Sequence, residues 1–210
     1  PRWSTDGKRI YYLNDGGSSQ IWSMNADGSN KKQISKTTSD ISNYGFSSDG
    51  KTVWMTMDVQ LDNFYGKDKY PDLPKTTGKV YDDLMMRQWD SWTNGSYSHV
   101  FVAQMNDGIV GNAVDLLKDE HSDSPLKPNG GDEEISISPD GKLIAYTCKK
   151  LSKRDYALTT NSDIFLYNVE TGATTNISSE NTAYDKAPSF SRDGKSIAWI
   201  SWDEPINEAS

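Results

Sequence analysis

Short apolar runs recur along this chain, and four of them follow the same kind of polar turn. The four turns read Ser4-Thr5-Asp6-Gly7-Lys8, Ser47-Ser48-Asp49-Gly50-Lys51, Ser138-Pro139-Asp140-Gly141-Lys142 and Ser191-Arg192-Asp193-Gly194-Lys195. Asp followed by Gly suits a tight turn, because Gly adopts a positive φ without steric cost. The runs that follow are rich in β-branched and aromatic residues, which are typical of strands. The pattern therefore predicts four hairpins, each returning the chain to an antiparallel partner.

A second turn follows each of the first three hairpins, after a further apolar strand. It reads Met24-Asn25-Ala26-Asp27-Gly28, Met105-Asn106-Asp107-Gly108 and Asn168-Val169-Glu170-Thr171-Gly172. Gly28 and Gly50 lie 22 residues apart, and so do Gly172 and Gly194. A repeated register of this kind indicates a structural repeat. The unit is four antiparallel strands, A to D, with tight A–B and C–D turns, which is a blade of a β-propeller.

The predicted fold class is all-β: a partial β-propeller of four-stranded antiparallel blades, with one helical insertion in the second blade. The 210 residues form a single partial propeller. Its predicted boundaries are blade 1 at about 1–36, blade 2 at about 40–118 with an insertion at 59–98, blade 3 at about 133–179, and half of blade 4 at about 186–203. Closed propellers typically have 4–8 blades. We therefore expect the chain to be a piece of a larger protein.

The repeat is interrupted at three places, and these interruptions share one geometric property. Extra chain lies at 59–98 and 149–162, between strands B and C, and at 120–133, between strands D and A. In an up-and-down sheet these connections emerge at the end opposite the A–B and C–D turns. We therefore expect all three insertions on one side of the propeller. Loops of variable length on a rigid scaffold are where binding groups usually lie.

The blade-two insertion begins with a polar segment, 62–78, that contains Pro and Gly and is predicted to be a loop. Residues 79–92 contain no Pro or Gly, and their apolar side chains recur at helical spacing, so they are predicted to form a helix. One interpretation is a surface helix that packs its aromatic stripe on the blade below. The other is a recognition patch for a ligand or partner domain, formed by Arg87, Trp89 and Asp90 at the helix end.

The other two insertions differ in charge. The loop at 120–133 leads through Glu133 and Glu134 into an innermost strand, which places these carboxylates near the mouth of the central channel. A carboxylate pair there can bind an ammonium group; the alternative is a solvated acidic loop. The third insertion begins with the basic run Lys149-Lys150-Leu151-Ser152-Lys153-Arg154-Asp155-Tyr156. It can pair with the acidic loop, with a neighbouring domain, or with solvent only.

Composition and absent motifs narrow the function further. The net charge of −8 argues against nucleic-acid binding, which needs clustered Lys and Arg. The apolar runs are too short for membrane insertion, and the single Cys148 is interpreted as a buried hydrophobic residue. His99 and His121 are the two histidines, and no Gly-X-Ser-X-Gly motif accompanies them. We therefore predict no catalytic residues, no metal site and no cofactor within this segment.

Three stretches resemble a known family. Residues 4–12 with 20–29 resemble the propeller repeat shared by TolB proteins and the prolyl oligopeptidase family. Residues 81–92 are similar to the Arg-His-Trp-Asp-X-Trp helix of bacterial dipeptidyl-peptidase and acylaminoacyl-peptidase relatives, with Gln88 in place of the usual His. Residues 123–134, leading into the turn at 138–142, look like the loop of the same group into the next blade. The resemblance covers essentially the whole chain.

The resemblance implies an N-terminal propeller joined to a C-terminal α/β-hydrolase domain with a Ser-Asp-His triad. The parent would be a serine exopeptidase that removes dipeptides from the free amino end of short peptides, while this segment gates and positions them and is inactive alone. The resemblance further implies a periplasmic or secreted protein and admits a homodimer. The alternative is a TolB-like propeller that binds another protein without catalysis. A propeller lyase would need metal-binding histidines that the sequence does not supply.

Overall fold

The structure is a computed structural model that describes residues 1–14, 16–84, 86–88, 90–151 and 153–204. Nearly all of its regular structure is β-strand. In chain order the elements are β1 (Arg2–Trp3), β2 (Arg9–Asn14), β3 (Gln20–Asn25), β4 (Lys32–Gln33), β5 (Ile41–Phe46), β6 (Thr52–Gln60), α1 (Gly66–Lys69), β7 (Arg87–Gln88), β8 (Ser91–Trp92), β9 (Ser96–Asn106), β10 (Ile109–Val110), β11 (Val114–Asp115), β12 (Ile135–Ile137), β13 (Leu143–Cys148), α2 (Lys153–Leu158), β14 (Asp163–Asn168), β15 (Thr174–Asn176), β16 (Asp185–Phe190) and β17 (Ile197–Ser201). A 3₁₀ turn at Asp132–Glu134 precedes β12.

The strands form consecutive antiparallel sheets in the order that the repeat predicts. The first sheet is β1-β2-β3-β4 and the third is β12-β13-β14-β15. In the second sheet β5, β6 and β9 are followed by two short pieces, β10 and β11, which both pair with β9. The last two strands, β16 and β17, pair with each other. The predicted all-β architecture of antiparallel propeller blades is confirmed.

The Ser-X-Asp-Gly-Lys turns owe their shape to a small hydrogen-bond network. In the second copy the Ser47 hydroxyl donates to Asp49 Oδ1 at 2.6 Å, and the backbone N–H of Lys51 donates to the same oxygen at 3.0 Å. These two donors, the serine hydroxyl first, lower the pKa of the Asp49 carboxyl. Gly50 supplies the positive φ of 71°. The same contacts recur in the other three copies.

The core lies between successive sheets. One cluster fills the space between the first and second sheets and includes Ile21, Ile41, Val53 and Met55. A second fills the space between the second and third sheets and includes Trp54, Val100, Leu117, Ile144 and Tyr146. Gly45 keeps the inner strand close to its neighbour, because a Cβ there would lie 2.5 Å from Trp54 Nε1. Burial of these side chains therefore joins one blade to the next.

Each blade is also joined to the next by one repeated backbone hydrogen bond, which lies at the end of the sheets opposite the Ser-X-Asp-Gly-Lys turns. The N–H of Ile41 donates to Ser19 O at 2.9 Å, and the N–H of Ser124 donates to Ser98 O at 2.8 Å. At the third junction the N–H of Asp185 donates to Ser162 O at 3.0 Å. At the first and third junctions the donor is the first residue of the innermost strand, so their side chains can be compared position by position. At the second junction the donor, Ser124, belongs to the loop at 120–131.

The helix predicted over residues 79–92 was wrong. The described part of this segment forms a bridge between Lys79 and Tyr65, a series of bends, and a small hairpin of β7 and β8. Leu84 and Trp92 are largely exposed, so the predicted apolar stripe is not buried against a blade. A helix of this length is marginal in water without such packing. The insertion does contain one helical turn, α1, within the segment predicted to be a loop.

Aromatic packing stabilises the observed conformation instead. The Tyr81 ring lies 4.8 Å from the Phe64 ring and 5.9 Å from the Trp92 ring, centroid to centroid. Its hydroxyl donates to Thr93 O at 2.7 Å. Aromatic pairs at these centroid separations are stabilising. They favour the hairpin because it places Tyr81 between the rings of Phe64 and Trp92. Among the described residues, no helix has the length and apolar character needed to cross a membrane.

Candidate functional site

The three insertions contact one another at one end of the sheets. His121 Nε2 lies 3.1 Å from Asp62 Oδ1, which joins the second insertion to the first. Lys150 Nζ lies 2.7 Å from Glu120 Oε2, which joins the third to the second. Lys153 Nζ lies 3.6 Å from Asp83 Oδ2, which joins the third to the first. These contacts support the predicted placement of all three insertions on one side, and they define what we call the insertion end.

The tight turns lie together at the opposite end. A Cβ placed on Gly50 would contact Thr5 in the preceding blade, and one placed on Gly194 would contact Pro139. A Cβ on Gly141 would lie 2.6 Å from Thr52 Oγ1. The turns of successive blades therefore touch one another, as the alternation of connections predicts.

The loop at 120–131 is anchored to the second blade by a charge cluster in which Asp123 is largely buried, whereas Lys127 and Asp58 are partly exposed. Lys127 Nζ lies 3.1 Å from Asp123 Oδ1 and 3.4 Å from Asp58 Oδ1, and it donates to Ser96 O at 3.0 Å. Asp123 Oδ1 also accepts the N–H of Ser98 at 2.7 Å. Burial raises the pKa of the Asp123 carboxyl despite these partners. The loop is thus held in one position relative to the sheets.

Glu134, one of the two predicted carboxylates, is buried beneath this loop. Its side chain is 3% exposed, and Oε2 accepts the N–H of Leu126 at 2.7 Å. Burial raises its pKa to about 7, which the hydrogen bond from Leu126 opposes. A Cβ on Gly130 would lie 2.6 Å from the same oxygen. In the described structure this carboxylate therefore holds the loop in place.

Glu133 and its neighbour Asp132 face a different environment. Both line an open cavity of about 1000 Å³ bordered by the inner strands. Glu133 Oε1 accepts the N–H of Gly131 at 3.0 Å. Asp132 Oδ2 lies 2.6 Å from Arg2 Nη2, and Arg2 Nε donates to Tyr44 O at 2.8 Å. Sequence reasoning did not identify the pair of Arg2 and Asp132, because 130 positions separate the two residues and no motif links them.

The second predicted group lies on the exposed hairpin of β7 and β8. Arg87 pairs with Trp92, and its guanidinium carbon lies 5.6 Å from the centre of the Trp92 ring. Asp90 Oδ1 accepts the Ser91 hydroxyl at 3.2 Å. Trp89 lies outside the described residues. Among the described residues, no hydrogen bond or ion pair joins Arg87 or Asp90 to Glu133 or Glu134, so these are two separate groups.

The basic insertion is organised by Lys149. Its ammonium group donates to Tyr156 O at 2.6 Å and to Thr159 O, and it lies 4.1 Å from the centre of the Tyr156 ring. Burial lowers its pKa to about 8. Lys150 pairs with Glu120, so the alternative in which the basic insertion pairs with the acidic loop is the one observed.

Neither histidine is arranged as a catalytic base within the described residues. His99 is fully buried, with Nδ1 2.9 Å from Asp115 Oδ2 and Nε2 3.0 Å from Glu120 O. Because both ring nitrogens face acceptors, this ring ties β9 to the loop beside it. Cys148 is also fully buried, and burial raises the pKa of its thiol. No three His, Cys, Asp or Glu side chains in the described part of the chain are grouped to hold a metal ion.

Comparison with known proteins identifies sequence relatives of this chain. No protein-family profile matches the sequence. The chain is 42% identical over 202 residues to dipeptidyl-peptidase 5 from Porphyromonas endodontalis, and 45% identical over 202 residues to the protein of the same name from Porphyromonas gingivalis. Each alignment covers 96% of this chain and 29% of the relative. The chain therefore spans less than a third of the length of these relatives.

Solved structures share the fold at lower sequence identity. Acylaminoacyl peptidase from Pyrococcus horikoshii superposes with a TM-score of 0.60 and 16% identity, over 99% of this chain and 28% of that protein. A protein assigned as TolB from Agrobacterium tumefaciens superposes with a TM-score of 0.52 and 19% identity, over 95% of this chain and 52% of that protein. The chain is therefore a propeller segment that is similar in sequence to part of the dipeptidyl-peptidase 5 proteins and shares its fold with the propellers of acylaminoacyl peptidase and TolB.

Proposed function

We propose that this segment is the substrate-gating and positioning propeller of a serine exopeptidase that removes dipeptides from the free amino end of short peptides. The names of the relatives, dipeptidyl-peptidase 5, support the reaction class. The structural observation that carries the proposal is the insertion end. There, two ion pairs and the contact of His121 with Asp62 tie three loops together, at the end where the carboxylates lead into the innermost strand.

In this proposal the substrate's ammonium group is bound by a carboxylate that faces the cavity. Glu133 is exposed and lines the cavity, whereas the neighbouring Asp132 already has a cationic partner in Arg2. Glu134 acts indirectly, by fixing the loop that precedes Glu133. Arg87 and Asp90 belong to the exposed hairpin; together with Trp89, which lies outside the described residues, they are proposed to contact the first side chains of the peptide or the partner domain.

The partner in this proposal is a C-terminal α/β-hydrolase domain of the same protein, which supplies the catalytic serine. The relatives are more than three times as long as the chain, which is consistent with a further domain. Ion pairs between the insertions would hold the entrance to a fixed size and so limit access to short peptides. A periplasmic or secreted location and a homodimer belong to the same proposal.

A second candidate function is a TolB-like propeller that binds another protein. It is favoured by the superposition on the TolB structure, which covers 95% of this chain. In that case the insertion end would contact a protein surface, and no hydrolase domain would follow.

The two candidates are distinguished by assaying the full-length protein with chromogenic dipeptidyl substrates that carry a free amine. The peptidase proposal predicts hydrolysis that a serine-directed phosphonate abolishes. A folded full-length protein that gives only the background rate would refute the peptidase proposal and favour the TolB-like function.

A further inference from the structure

The third blade junction differs from the other two in the side chains that meet there. The backbone hydrogen bond between blades places Gln20 and Ile41 together at the first junction and His99 and Ser124 together at the second. At the third junction, the equivalent positions are Asp163 and Asp185. Only this junction among the three brings two carboxylates together.

The backbone register fixes their proximity. Ser162 and Tyr184 form a parallel β-bridge, so the next residues along each strand, Asp163 and Asp185, are neighbours on the same side. Paired strands lie about 4.8 Å apart. Asn161 lies two residues before Asp163 and therefore points to that side as well. Three side chains with oxygen acceptors thus share one face of the junction.

One oxygen of each side chain is buried without a hydrogen-bond donor. Asp185 is fully buried; its Oδ1 accepts from Asn181 Nδ2 at 2.9 Å and from Trp199 Nε1 at 3.2 Å, but its Oδ2 has no donor. Asp163 Oδ1 and Asn161 Oδ1 are likewise buried without a donor. Leaving such acceptors unpaired is strongly unfavourable, most of all for a carboxylate.

The first junction shows how a polar side chain at the equivalent position is hydrogen-bonded. Gln20 occupies the place of Asp163 at the first junction, and its amide donates to Thr37 Oγ1 at 2.8 Å. Burial raises the pKa of the Asp163 carboxyl; hydrogen bonds from Asn176 and Ser178 oppose this shift, and the charge of Asp185 adds to it. Oδ1 of Asp163 nevertheless has no donor. The adjacent Lys186 does not neutralise the pair, because its ammonium group lies over the rings of Tyr184 and Trp202. The third junction therefore has an excess of negative oxygen ligands.

We propose that a calcium ion binds at the third junction, coordinated by Asp163, Asp185 and the amide oxygen of Asn161. Calcium takes six to eight oxygen ligands, and carboxylates, amide carbonyls and water are its usual ones. Asp163 and Asn161 belong to the third blade and Asp185 to the fourth, so the ion would join the two blades. The role is structural and does not depend on the proposed peptidase function.

Calorimetric titration of the full-length protein, stripped with EDTA and then supplied with calcium chloride, tests this site. Two carboxylates and one amide form a weak site, with a dissociation constant on the order of 10⁻⁴ M. Asp163→Asn should weaken this binding at least tenfold. That variant places an amide at the position that Gln20 occupies at the first junction. The matched control Asp40→Asn removes a carboxylate at the first junction that already accepts from Ser18 and Ser19 and should leave calcium binding unchanged.

Terbium luminescence provides a second measurement that requires no folded variant. The Trp199 indole donates to Asp185, so a terbium ion at the site should show sensitised emission that calcium displaces. Absence of both calcium heat and sensitised terbium emission would overturn the proposal. It would mean that the two carboxylates share a proton or that the Asn161 amide is turned to donate to them. Calcium binding that Asp163→Asn leaves unchanged would overturn it equally.

Discussion

Glu133 and Glu134 are adjacent in sequence but occupy different environments. Glu134 is buried and accepts a backbone N–H from the loop at 120–131, whereas Glu133 lines the open cavity. The sequence places both at the start of an innermost strand but does not say which one faces the cavity. That choice depends on the 3₁₀ turn at Asp132–Glu134 and on the loop packed over it.

Substitution of Glu134 by Gln should change the pH dependence of stability. Because the folded-state pKa is raised from the ordinary 4.5 to about 7, the native protein binds more protons than the unfolded chain between these values. Stability from this group is complete below pH 4.5 and is lost as the pH rises to 7, by about 3 kcal/mol. Glu134→Gln should remove this loss, since the amide oxygen still accepts from Leu126.

Urea denaturation at pH 5 and pH 8, followed by tryptophan fluorescence, measures the difference. Glu133→Gln is the matched control, because Glu133 is exposed and should keep the wild-type dependence. If Glu134→Gln loses as much stability between the two pH values as the wild type does, the burial argument for this carboxyl is wrong.

At the scale of elements, the turns and strands follow from local sequence, but the insertion does not. The Ser-X-Asp-Gly-Lys turn is predictable because all of its hydrogen bonds lie within six residues. The segment at 79–92 has helical spacing, yet it forms a hairpin because Tyr81 packs between Phe64 and Trp92. Periodicity within one segment carries no information about such partners. The predicted helix failed for that reason.

Two glycines that occupy the same position in different copies of the repeated turn should respond differently to substitution by Ala. Gly7 and Gly141 have nearly the same positive φ, 68° and 71°. A Cβ on Gly7 has open space, whereas one on Gly141 would lie 2.6 Å from Thr52 Oγ1 in the neighbouring blade. Gly7→Ala should cost about 1 kcal/mol of backbone strain. Gly141→Ala should cost a further 1–3 kcal/mol or so from overpacking.

Chemical denaturation of the two variants gives the two losses in stability. The larger loss is expected for Gly141→Ala because that turn contacts the preceding blade. Equal losses would show that the turns of successive blades do not press against one another as described.

At the scale of the whole molecule, the repeat predicts that long connections gather at one end, and contacts among the insertions support this. What the repeat does not predict is how the insertions are held together. Lys150 with Glu120 and Lys153 with Asp83 join residues that are distant in sequence and follow no motif. The two candidate groups, Arg87 with Asp90 and Glu133 with Glu134, are also distant in sequence, and among the described residues no hydrogen bond or ion pair joins them. Peptide binding at the insertion end therefore has to be tested on the full-length protein.

The most direct test of the central claim is the selectivity of the full-length protein for a free amino end. Glu133→Gln should lower kcat/KM for a free-amine dipeptidyl substrate far more than for its N-acetylated counterpart. A charge-assisted contact of about 1.5–3 kcal/mol corresponds to roughly a 10- to 150-fold effect. The control is Glu170→Gln, an exposed carboxylate in the turn at the opposite end, paired with Lys142, which should change neither value. A selective loss for the free-amine substrate is the predicted result, and equal losses for both substrates would contradict the claim that this end positions the peptide's amino terminus.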